Sequence, residues 1–392
     1  MEAAGAALLP SEELFDRMVR LRRDLHRRPE LSLQEELTAQ RIAIELDELG
    51  VLYRTRVGGH GIVAEIPGHA AGPTIALRAD IDALPILEET ELPFASAVEG
   101  VMHACGHDGH TAILIGAAAL LLEQPAPGPT RLLFQPAEER GPGASAMIEE
   151  GAIDGVAAIF AGHLDRHYPP GTLAISDGPV NAASDGFIIE ISGQQGHGAR
   201  PHEAVDAVVV GSLLVTALQT IVSREVDPAH PSVVSVGRFD AGTAANVIAG
   251  TARLEGTIRS QEVEVRAHLC RSVERIATAI GQLHDAKVEV QIRRGNPPVI
   301  NPAHMADLAR RAAADVAGTE VVPLRTVNMG SEDFGFYVER IPGCYIRYGG
   351  QVPGLEGYPA HSSRFDFDED ALRTGAAWLA AVARRAGVEL AG

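Results

Sequence analysis

The sequence has few cysteines and no excess of basic residues. Its three cysteines, Cys105, Cys270 and Cys344, are widely spaced in a chain of 392 residues. This spacing excludes a disulfide framework and fits a reducing compartment. Lysine and arginine number 33 against 52 acidic residues, which gives a net charge of −19. Because such a field repels nucleic acid and anionic membranes, we expect neither as a partner.

Segments that would target or anchor the chain are also lacking. The opening stretch, "MEAAGAALLPSEELFDRMVR", has no basic segment leading into an apolar one. No uncharged apolar stretch reaches the length needed to span a bilayer. Internal repeats and low-complexity regions are absent as well. We therefore expect a cytoplasmic protein.

The chain is too long for one ordinary hydrophobic core, and its pattern changes along its length. Strands alternate with helices up to about residue 183, which predicts an α/β catalytic domain with a mixed sheet and helices on both faces. A β-α-β-β-α-β order follows, as in a ferredoxin-like α+β domain. We predict a catalytic domain at 1–183 and 296–392, interrupted by an inserted dimerisation or lid domain at 184–295.

Three predicted elements can be checked directly. The run "AILIGAAALLL" predicts a helix that begins after His110. Residues 203–223 predict a helix in the inserted domain. Residues 246–260 predict one strand, because apolar and β-branched residues recur there between turn-forming residues.

Unusual polar residues follow the apolar strands of the predicted α/β sheet. Asp80 and Asp82 follow "TIAL", Glu138 and Glu139 follow "LLFQP", and His163 follows "AAIFAG". In open α/β sheets the carboxyl ends of the strands form the ligand crevice. These side chains are therefore expected at one edge of the sheet, where His361, in a late loop, could join them.

The stretch "MHACGHDGHT", residues 102–111, carries the densest set of ligand-type side chains. Cys105 and His107 are borderline-soft ligands two residues apart, and a helix N-terminus behind them favours a thiolate. The alternative is a buried free cysteine beside ordinary histidines. One cysteine, one glutamate and three histidines together could hold two metal ions, each with a position left for water.

The neighbouring carboxylates also allow two interpretations. Two adjacent carboxylates, Glu138 and Glu139, repel each other in one dry site, which is relieved if one of them binds a metal and its neighbour handles protons. The alternative is a solvated acidic pair at the start of a helix. Asp80 or Asp82 could orient a histidine ligand, or could instead cap a turn near Pro85.

These motifs resemble the metal-dependent amidohydrolases that include aminoacylases, hippurate hydrolases and plant indoleacetyl-amino-acid hydrolases. The resemblance spans nearly the whole chain and rests on several ordered motifs. They are "LHRRPELSLQE" at 25–35, "ALRADIDALP" at 76–85, "MHACGHDGHT" at 102–111, "FQPAEE" at 134–139, "GHGARPH" at 196–202, "SEDFGFY" at 331–337 and "HSSRFDFDEDAL" at 361–372.

The resemblance implies a role for each residue of the predicted metal site. Cys105 is implied as the ligand shared by two divalent metal ions, Mn²⁺ or Zn²⁺, with Co²⁺ or Ni²⁺ as alternatives. Glu138 is implied as the general base, and Asp82 as the residue that orients a ligand. The other implied metal ligands are His107, Glu139, His163 and His361.

The resemblance also implies roles for residues of the inserted domain. His197 would reach the active site of a partner subunit in a homodimer and stabilise the oxyanion. Asn246 and Arg259 would hold the substrate carboxylate. The alternatives are a surface histidine in a glycine-rich turn and an ordinary salt-bridge arginine at a strand end.

The chain departs from the family pattern next to the ligands but retains each of them. Arg140 stands where glycine usually follows the acidic pair, and Ala360 replaces the usual leucine. "LDRHYPPG", with Asp165, Arg166 and His167, replaces a short segment of apolar residues and proline. We expect these changes to affect substrate preference more than activity.

The expected function is hydrolysis of the amide bond of N-acyl amino acids, releasing a carboxylic acid and a free amino acid. A dipeptidase or carboxypeptidase using the same metal site is the nearest alternative. A metal-binding sensor without catalytic activity is the alternative from a different class, and the retained Glu138 argues against it.

Overall fold

The structure, a computed structural model, describes residues 9–326, 328–355 and 358–391. Its helices are α1 Glu12–Arg27, α2 Glu36–Leu49, α3 His107–Glu123, α4 Gly143–Glu149, α5 Ala207–Thr220, α6 Val263–Leu283, α7 Ala303–Ala314, α8 Gly335–Val338 and α9 Asp370–Glu389. Its strands are β1 Leu52–Val57, β2 Gly61–Ile66, β3 Thr74–Asp80, β4 Thr130–Gln135, β5 Val156–Asp165, β6 Thr172–Ala174, β7 Gly178–Asn181, β8 Ala183–Ser192, β9 Gly196–His197, β10 Ser232–Ala241, β11 Val247–Ile248, β12 Thr251–Ser260, β13 Lys287–Arg293, β14 Val299–Asn301, β15 Glu320–Val322 and β16 Gly343–Gly349.

The chain divides into two compact units. The larger unit comprises the described residues of Met1–Gly178, Ile300–Thr326 and Phe336–Gly392, and the smaller unit those of Pro179–Val299 and Val327–Gly335. The chain therefore enters the long segment of the smaller unit after Gly178 and leaves it after Val299.

The larger unit is organised by an eight-stranded mixed sheet with the order β1-β2-β4-β3-β5-β16-β6-β15. The central strands β4, β3, β5 and β16 are parallel neighbours, whereas β1, β2 and β6 introduce antiparallel pairs. Consecutive residues of β3 and β16 are buried, so both faces of the sheet are covered. This architecture confirms the predicted α/β fold class.

The smaller unit has the predicted ferredoxin-like order. Its strands and helices follow as β8-α5-β10-β12-α6-β13. The four strands form an antiparallel sheet in the order β10-β12-β8-β13, which leaves β10 and β13 at its edges. Phe187, Ile189, Leu214, Leu254 and Val273 are among the side chains of its separate hydrophobic core.

Three predicted element boundaries are wrong. Helix α3 begins at His107 rather than after His110, because Gly106, at φ 90°, turns the chain into the helix one residue after Cys105. Helix α5 begins at Ala207, where the Asp206 carboxylate accepts a hydrogen bond from the Val208 N–H at 2.9 Å. The single strand predicted at 246–260 is two: β11 pairs with β9, and β12 pairs with β8 and β10.

One helical stretch has the length and composition of a membrane span. It comprises α5 and the π-helical turn Ile221–Glu225 that continues it; its most apolar 18 residues have a mean hydropathy of 1.6, and 33% of them are buried. The sequence-based expectation missed this stretch because Arg224 and Glu225 interrupt its uncharged run. It is weak evidence for a membrane, because core helices have the same composition and Val210, Leu214 and Leu218 of α5 belong to the core of the smaller unit.

A buried arginine joins distant segments of the larger unit. The guanidinium of Arg22, on α1, is 3.0 Å from the carboxylate of Asp108 in the first turn of α3. It is also 2.7 Å from Asp366 and 3.1 Å from Glu369, in the segment that leads into α9. Its side chain is 1% exposed. These acids favour the charged form, so the pKa of Arg22 is raised although burial opposes the charge.

Replacing Arg22 should therefore destabilise the larger unit. We expect Arg22→Met to lower the free energy of unfolding by about 3–5 kcal/mol, since it leaves buried carboxylates without a cation. The neighbouring Arg23→Ala is the matched control: Arg23 also binds Glu369, but its side chain is 47% exposed, so its loss should cost about 0–1 kcal/mol. Denaturant unfolding followed by circular dichroism measures both, and equal losses would contradict the role of Arg22.

Candidate metal centre

The site lies where three parallel strands of the larger unit end. Strand β3 pairs with β4 on one side and with β5 on the other, both in parallel. Asp80 is the last residue of β3, and Glu138 follows the end of β4 by three residues. His163 lies within β5, two residues before its end at Asp165, rather than after the strand as predicted. Parallel strands bring these carboxyl ends to one edge of the sheet.

Two groups of ligand-type side chains meet at Cys105. Ligand atoms of Cys105, His107 and His163 all lie within 4.8 Å of one another. The same holds for Cys105, Glu139 and His361. The thiol of Cys105 therefore belongs to both groups. Five residues that the sequence analysis selected from separate segments are close together in the structure.

Hydrogen bonds fix which ring nitrogen of His163 and of His107 faces the centre. His163 Nδ1 is 2.7 Å from the Leu164 carbonyl oxygen, which can only accept, so Nδ1 carries the proton and the lone pair is on Nε2. That Nε2 is 3.3 Å from Cys105 Sγ. His107 Nδ1 donates to Asp82 in the same way, and its Nε2 is buried without a hydrogen-bond partner among the described residues.

His361 approaches from the C-terminal segment. The backbone N–H of His361 donates to the Ala104 carbonyl, next to Cys105, at 2.7 Å. The backbone of His361 has a left-handed φ of 69°. Its Nε2 is 3.1 Å from Glu139 Oε1. Hydrogen bonds to Cys105 and Glu139 raise the pKa of His361 to about 10. The side chain is 52% exposed, which makes it the most accessible of the five.

Asp82 connects the ligands to one another. Its Oδ1 is 3.1 Å from His107 Nδ1, and its Oδ2 accepts hydrogen bonds from the Glu139 N–H at 3.0 Å and the Ser32 hydroxyl at 2.7 Å. Burial disfavours the charged carboxylate, but the hydrogen bonds from His107 and Ser32 help to outweigh it and lower the pKa of Asp82. A charged Asp82 therefore orients the His107 ring.

Glu138 lies beside this centre. Its carboxylate is within 4.8 Å of ligand atoms of both His107 and Glu139. The two adjacent glutamates therefore turn their carboxylates toward the same region, and neither is fully exposed. A solvated acidic pair on a surface helix does not describe this arrangement.

The other polar residues of the 102–111 stretch have different partners. His110 accepts from the Leu164 N–H through Nε2 and donates through Nδ1 to Asp80 at 2.6 Å, so both its nitrogens are used. Asp80 also binds Arg78 at 2.6 Å. Asp108 belongs to the Arg22 cluster. Both ring nitrogens of His103 are buried without a hydrogen-bond partner in the described part of the chain, and burial lowers the pKa of His103 to about 4.

Burial opposes the thiolate that the helix N-terminus is expected to favour at Cys105. Burial, aided by the charge of Glu139, raises the pKa of Cys105 in the protein without metal, although His107 and His361 act in the opposite direction. A cation at the sulfur would favour its deprotonation.

Three of the predicted site residues belong to the smaller unit. His197, on β9, is exposed and pairs with Val247 of β11; its Nδ1 accepts from the Ala199 N–H at 3.0 Å. The Asn246 carbonyl accepts from the Gly198 N–H at 2.9 Å, so His197 and Asn246 are neighbours. Arg259, on β12, donates to the Met329 carbonyl at 3.0 Å rather than to a carboxylate.

The residues that depart from the family pattern connect two loops. The Asp165 carboxylate accepts from the His167 N–H at 2.9 Å, and its carbonyl accepts from the Gly350 N–H at 3.0 Å. Arg166 donates to the Leu355 carbonyl, and its guanidinium lies 5.9 Å from the ring centre of Phe365. These contacts join the exit of β5 to the segment that precedes and follows His361.

Two residues that support the ligand-bearing segments, Ser32 and Glu35, were not predicted from the sequence. Ser32 and Glu35 belong to "LHRRPELSLQE", a motif that was noted without a role, and both contact segments that carry ligands. The sequence feature that could have indicated them was a serine and two acidic residues in a polar stretch directly after α1. Nothing in their spacing indicates which distant residues they contact.

Comparison with known proteins agrees with this geometry. The model of Peptidase family M20/M25/M40 matches residues 76–385. The chain belongs to this family. It is therefore a hydrolase, as predicted, and the resemblance to metal-dependent amidohydrolases is confirmed.

Several members of the M20 family are similar over nearly their whole length. An N-acetyl-L-cysteine deacetylase of Bacillus subtilis is 40% identical over 375 residues, covering 95% of this chain and 88% of the relative. Thermostable carboxypeptidase 1 of Saccharolobus solfataricus is 39% identical over 372 residues, covering 93% and 94%. The crystal structure of a dinuclear metal-binding M20 peptidase from Bacillus subtilis has a TM-score of 0.86 at 36% identity, covering 97% and 99%.

The contacts of Asp82 generate a prediction for this M20 chain. Asp82→Ala should weaken metal binding about 10–100-fold, because the His107 ring loses its carboxylate acceptor and keeps only the Asp82 backbone carbonyl, at 3.0 Å. Competition with a chromogenic chelator measures this for Zn²⁺ and Mn²⁺. Asp24→Ala is the control, since Asp24 pairs with Arg41 at 2.8 Å. Unchanged affinity in Asp82→Ala would show that His107 does not depend on this carboxylate.

Proposed function

We propose that this protein is a dinuclear metal-dependent hydrolase that cleaves the amide bond of N-acyl amino acids. The observation that carries the proposal is the position of Cys105 in two ligand groups at once, one with His107 and His163 and one with Glu139 and His361. The deacetylase relative favours an N-acyl amino acid as substrate. The solved M20 peptidase with a dinuclear site favours two metal ions.

The residues present fit a pair of divalent cations. His107 Nε2 is buried without a hydrogen-bond partner among the described residues, an arrangement that is costly unless the nitrogen has a ligand. A thiol, imidazoles and a carboxylate suit several borderline divalent ions. We propose Mn²⁺ or Zn²⁺, with Co²⁺ or Ni²⁺ as alternatives. His107 and His163 would complete one position, and Glu139 and His361 the other.

The proposed mechanism assigns proton transfer to Glu138. A divalent cation supplies Lewis-acid chemistry: it lowers the pKa of water and stabilises negative charge on a carbonyl oxygen. Glu138, beside His107 and Glu139, takes a proton from the attacking water and delivers it to the leaving amine nitrogen. A base and acid in this position contributes about 10²–10⁴-fold. Asp82 holds His107 and the Glu139 backbone in place throughout.

We further propose that the smaller unit acts as a lid and forms a homodimer. Helix α5 exposes Val208, Val209 and Leu213, and strand β10 exposes Phe239 at the edge of its sheet. An unpaired edge strand beside exposed apolar side chains suits a second copy of the same surface. His197, whose Nδ1 accepts a hydrogen bond, keeps a proton on Nε2 for a substrate oxyanion in the partner subunit.

Asn246 and Arg259 are the proposed contacts of the substrate carboxylate. Asn246 neighbours His197, which supports a shared role. Arg259 would bind the carboxylate in addition to the Met329 carbonyl.

The described cysteines are all free thiols, which supports the expected cytoplasmic location.

A substrate panel tests the proposed function. N-acetyl, N-benzoyl and indoleacetyl amino acids should be hydrolysed faster than unblocked dipeptides by chelated enzyme restored with Mn²⁺, Zn²⁺ or Co²⁺. Release of the free amino acid measures the rate. The carboxypeptidase relative makes a peptidase the second candidate. Faster turnover of unblocked dipeptides would establish that alternative.

Glu138→Ala separates catalysis from metal binding. We expect it to keep both metal ions but to lower kcat by at least about 10²-fold, because the proton acceptor is lost. Metal content by mass spectrometry and kcat are measured on the same sample. Glu89→Ala is a control, since Glu89 pairs with Ser363 near the surface. Turnover that survives Glu138→Ala would show that the base is assigned to the wrong residue.

The dimer is tested on α5. Val209→Glu with Leu213→Glu should convert a dimer into monomers, because charges would be buried against the partner. Size-exclusion chromatography with light scattering measures the mass. Leu52→Glu is the control, since Leu52 is 85% exposed on β1 of the larger unit. A monomeric parent protein, or a dimer that survives both substitutions, would contradict this interface.

A further inference from the structure

A buried carboxyl group lies behind the acidic pair without belonging to any of the candidate metal groups found among the described residues. Glu35 directly precedes α2, and the whole residue is 0% exposed. It does not cap that helix: the Glu30 carboxylate accepts from Leu37 N–H at 3.1 Å and from Thr38 N–H at 2.7 Å instead. The Oε1 atom of Glu35 accepts hydrogen bonds from the Leu33 N–H at 2.9 Å and from the Ala137 N–H at 2.8 Å.

The contact with Ala137 spans 102 residues of sequence and reaches a strained position. Ala137 is fully buried and has a φ of 53°, in the left-handed region. That conformation costs an L-residue about 1–2 kcal/mol, so it persists only where the surroundings hold it. The hydrogen bond from its N–H to Glu35 fixes the peptide plane between residues 136 and 137, against which this φ is measured, and so contributes to that restraint. Because φ at residue 137 sets the direction of the chain that follows, it determines where residue 138 lies.

The backbone around Glu138 is therefore held on both sides by buried acids. Glu35 binds the N–H of Ala137 on one side at 2.8 Å, and Asp82 binds the N–H of Glu139 on the other at 3.0 Å. The two acids come from different segments, one before α2 and one after β3. The bond from Asp82 also serves His107, whereas the contacts of Glu35 serve only the turn and its own loop.

We propose that Glu35 is a positioning residue for Glu138. Its carboxyl holds Ala137 in the left-handed conformation and thereby aims the Glu138 side chain at the reacting atoms. Glu35 touches neither substrate nor metal. The inference rests on the proposed role of Glu138 as the base and adds a residue that sets its geometry.

Three variants test the proposal. Glu35→Met keeps the side-chain volume but removes both acceptors, Glu35→Gln keeps one oxygen acceptor, and Glu30→Ala removes a neighbouring carboxylate that caps α2. We expect Glu35→Met to lower kcat about 10²-fold, the effect of a misplacement of about 1 Å, while KM and the number of bound metal ions stay unchanged. Glu35→Gln should recover most of the lost kcat. Glu30→Ala should lower the unfolding temperature and leave kcat unchanged.

Amide hydrogen exchange in the metal-free protein gives a readout that does not depend on activity. Exchange at the Ala137 N–H should accelerate at least about tenfold in Glu35→Met and remain slow in Glu30→Ala. Equal kcat values for Glu35→Met and the parent, or unchanged exchange at Ala137, would overturn the role of Glu35. Turnover that survives Glu138→Ala would instead overturn the base assignment, so the two failures are distinguished. Should Glu35→Met not fold, Glu35→Ala, which also removes both acceptors, carries the same two measurements.

Discussion

The carboxylate of Asp82 is the interaction on which the candidate centre depends. It accepts hydrogen bonds from the His107 ring, the Glu139 backbone and the Ser32 hydroxyl, which belong to three segments of the larger unit. A carboxylate that is charged and buried must have such donors, because desolvation would otherwise neutralise it. The same bonds that keep Asp82 charged therefore also set the positions of two proposed metal ligands.

The three histidines of the 102–111 stretch show how hydrogen bonding distinguishes similar side chains. His107 has one nitrogen bound to Asp82 and one left without a hydrogen-bond partner, as a metal ligand requires. His110 has both nitrogens bound, to Asp80 and Leu164, and is a structural residue. His103 has neither bound among the described residues. Crowding of ligand-type residues in a sequence thus does not mean that all of them face one cation.

Strand ends were predictable from the sequence, whereas connections between distant loops were not. Asp80, Glu138 and His163 lie at or near the carboxyl ends of their apolar strands, which locates them at one sheet edge, because parallel strands have only one carboxyl edge. His361 could be named as a candidate from its loop, but only the family motif gave it a role, since a lone histidine in a loop carries little local signal. Glu35 could not be assigned, because its contact with Ala137 depends on a left-handed residue 102 positions away.

The errors in the sequence-based expectations have the same origin. The start of α3 was placed too late because the polar residues of its first turn, His107 and Asp108, are satisfied by tertiary partners that local propensity ignores. The expectation of a thiolate at Cys105 considered the helix N-terminus alone and omitted burial, which raises the pKa of Cys105. Local sequence patterns identify helices and strands reliably where polar side chains bond within their own segment. They are less reliable at a site, where polar side chains bond to residues of distant segments.

The bonds of Arg22 have a consequence for synthesis of the chain. Asp366 and Glu369 lie 344 and 347 positions after Arg22, and His361 precedes them by only a few residues. A nascent chain on the ribosome has made the strands β3, β4 and β5 long before these partners emerge. Until then the Arg22 guanidinium lacks Asp366 and Glu369, and the Cys105 thiol lacks His361. The centre is consequently assembled only after the segment that carries His361, Asp366 and Glu369 has left the ribosome.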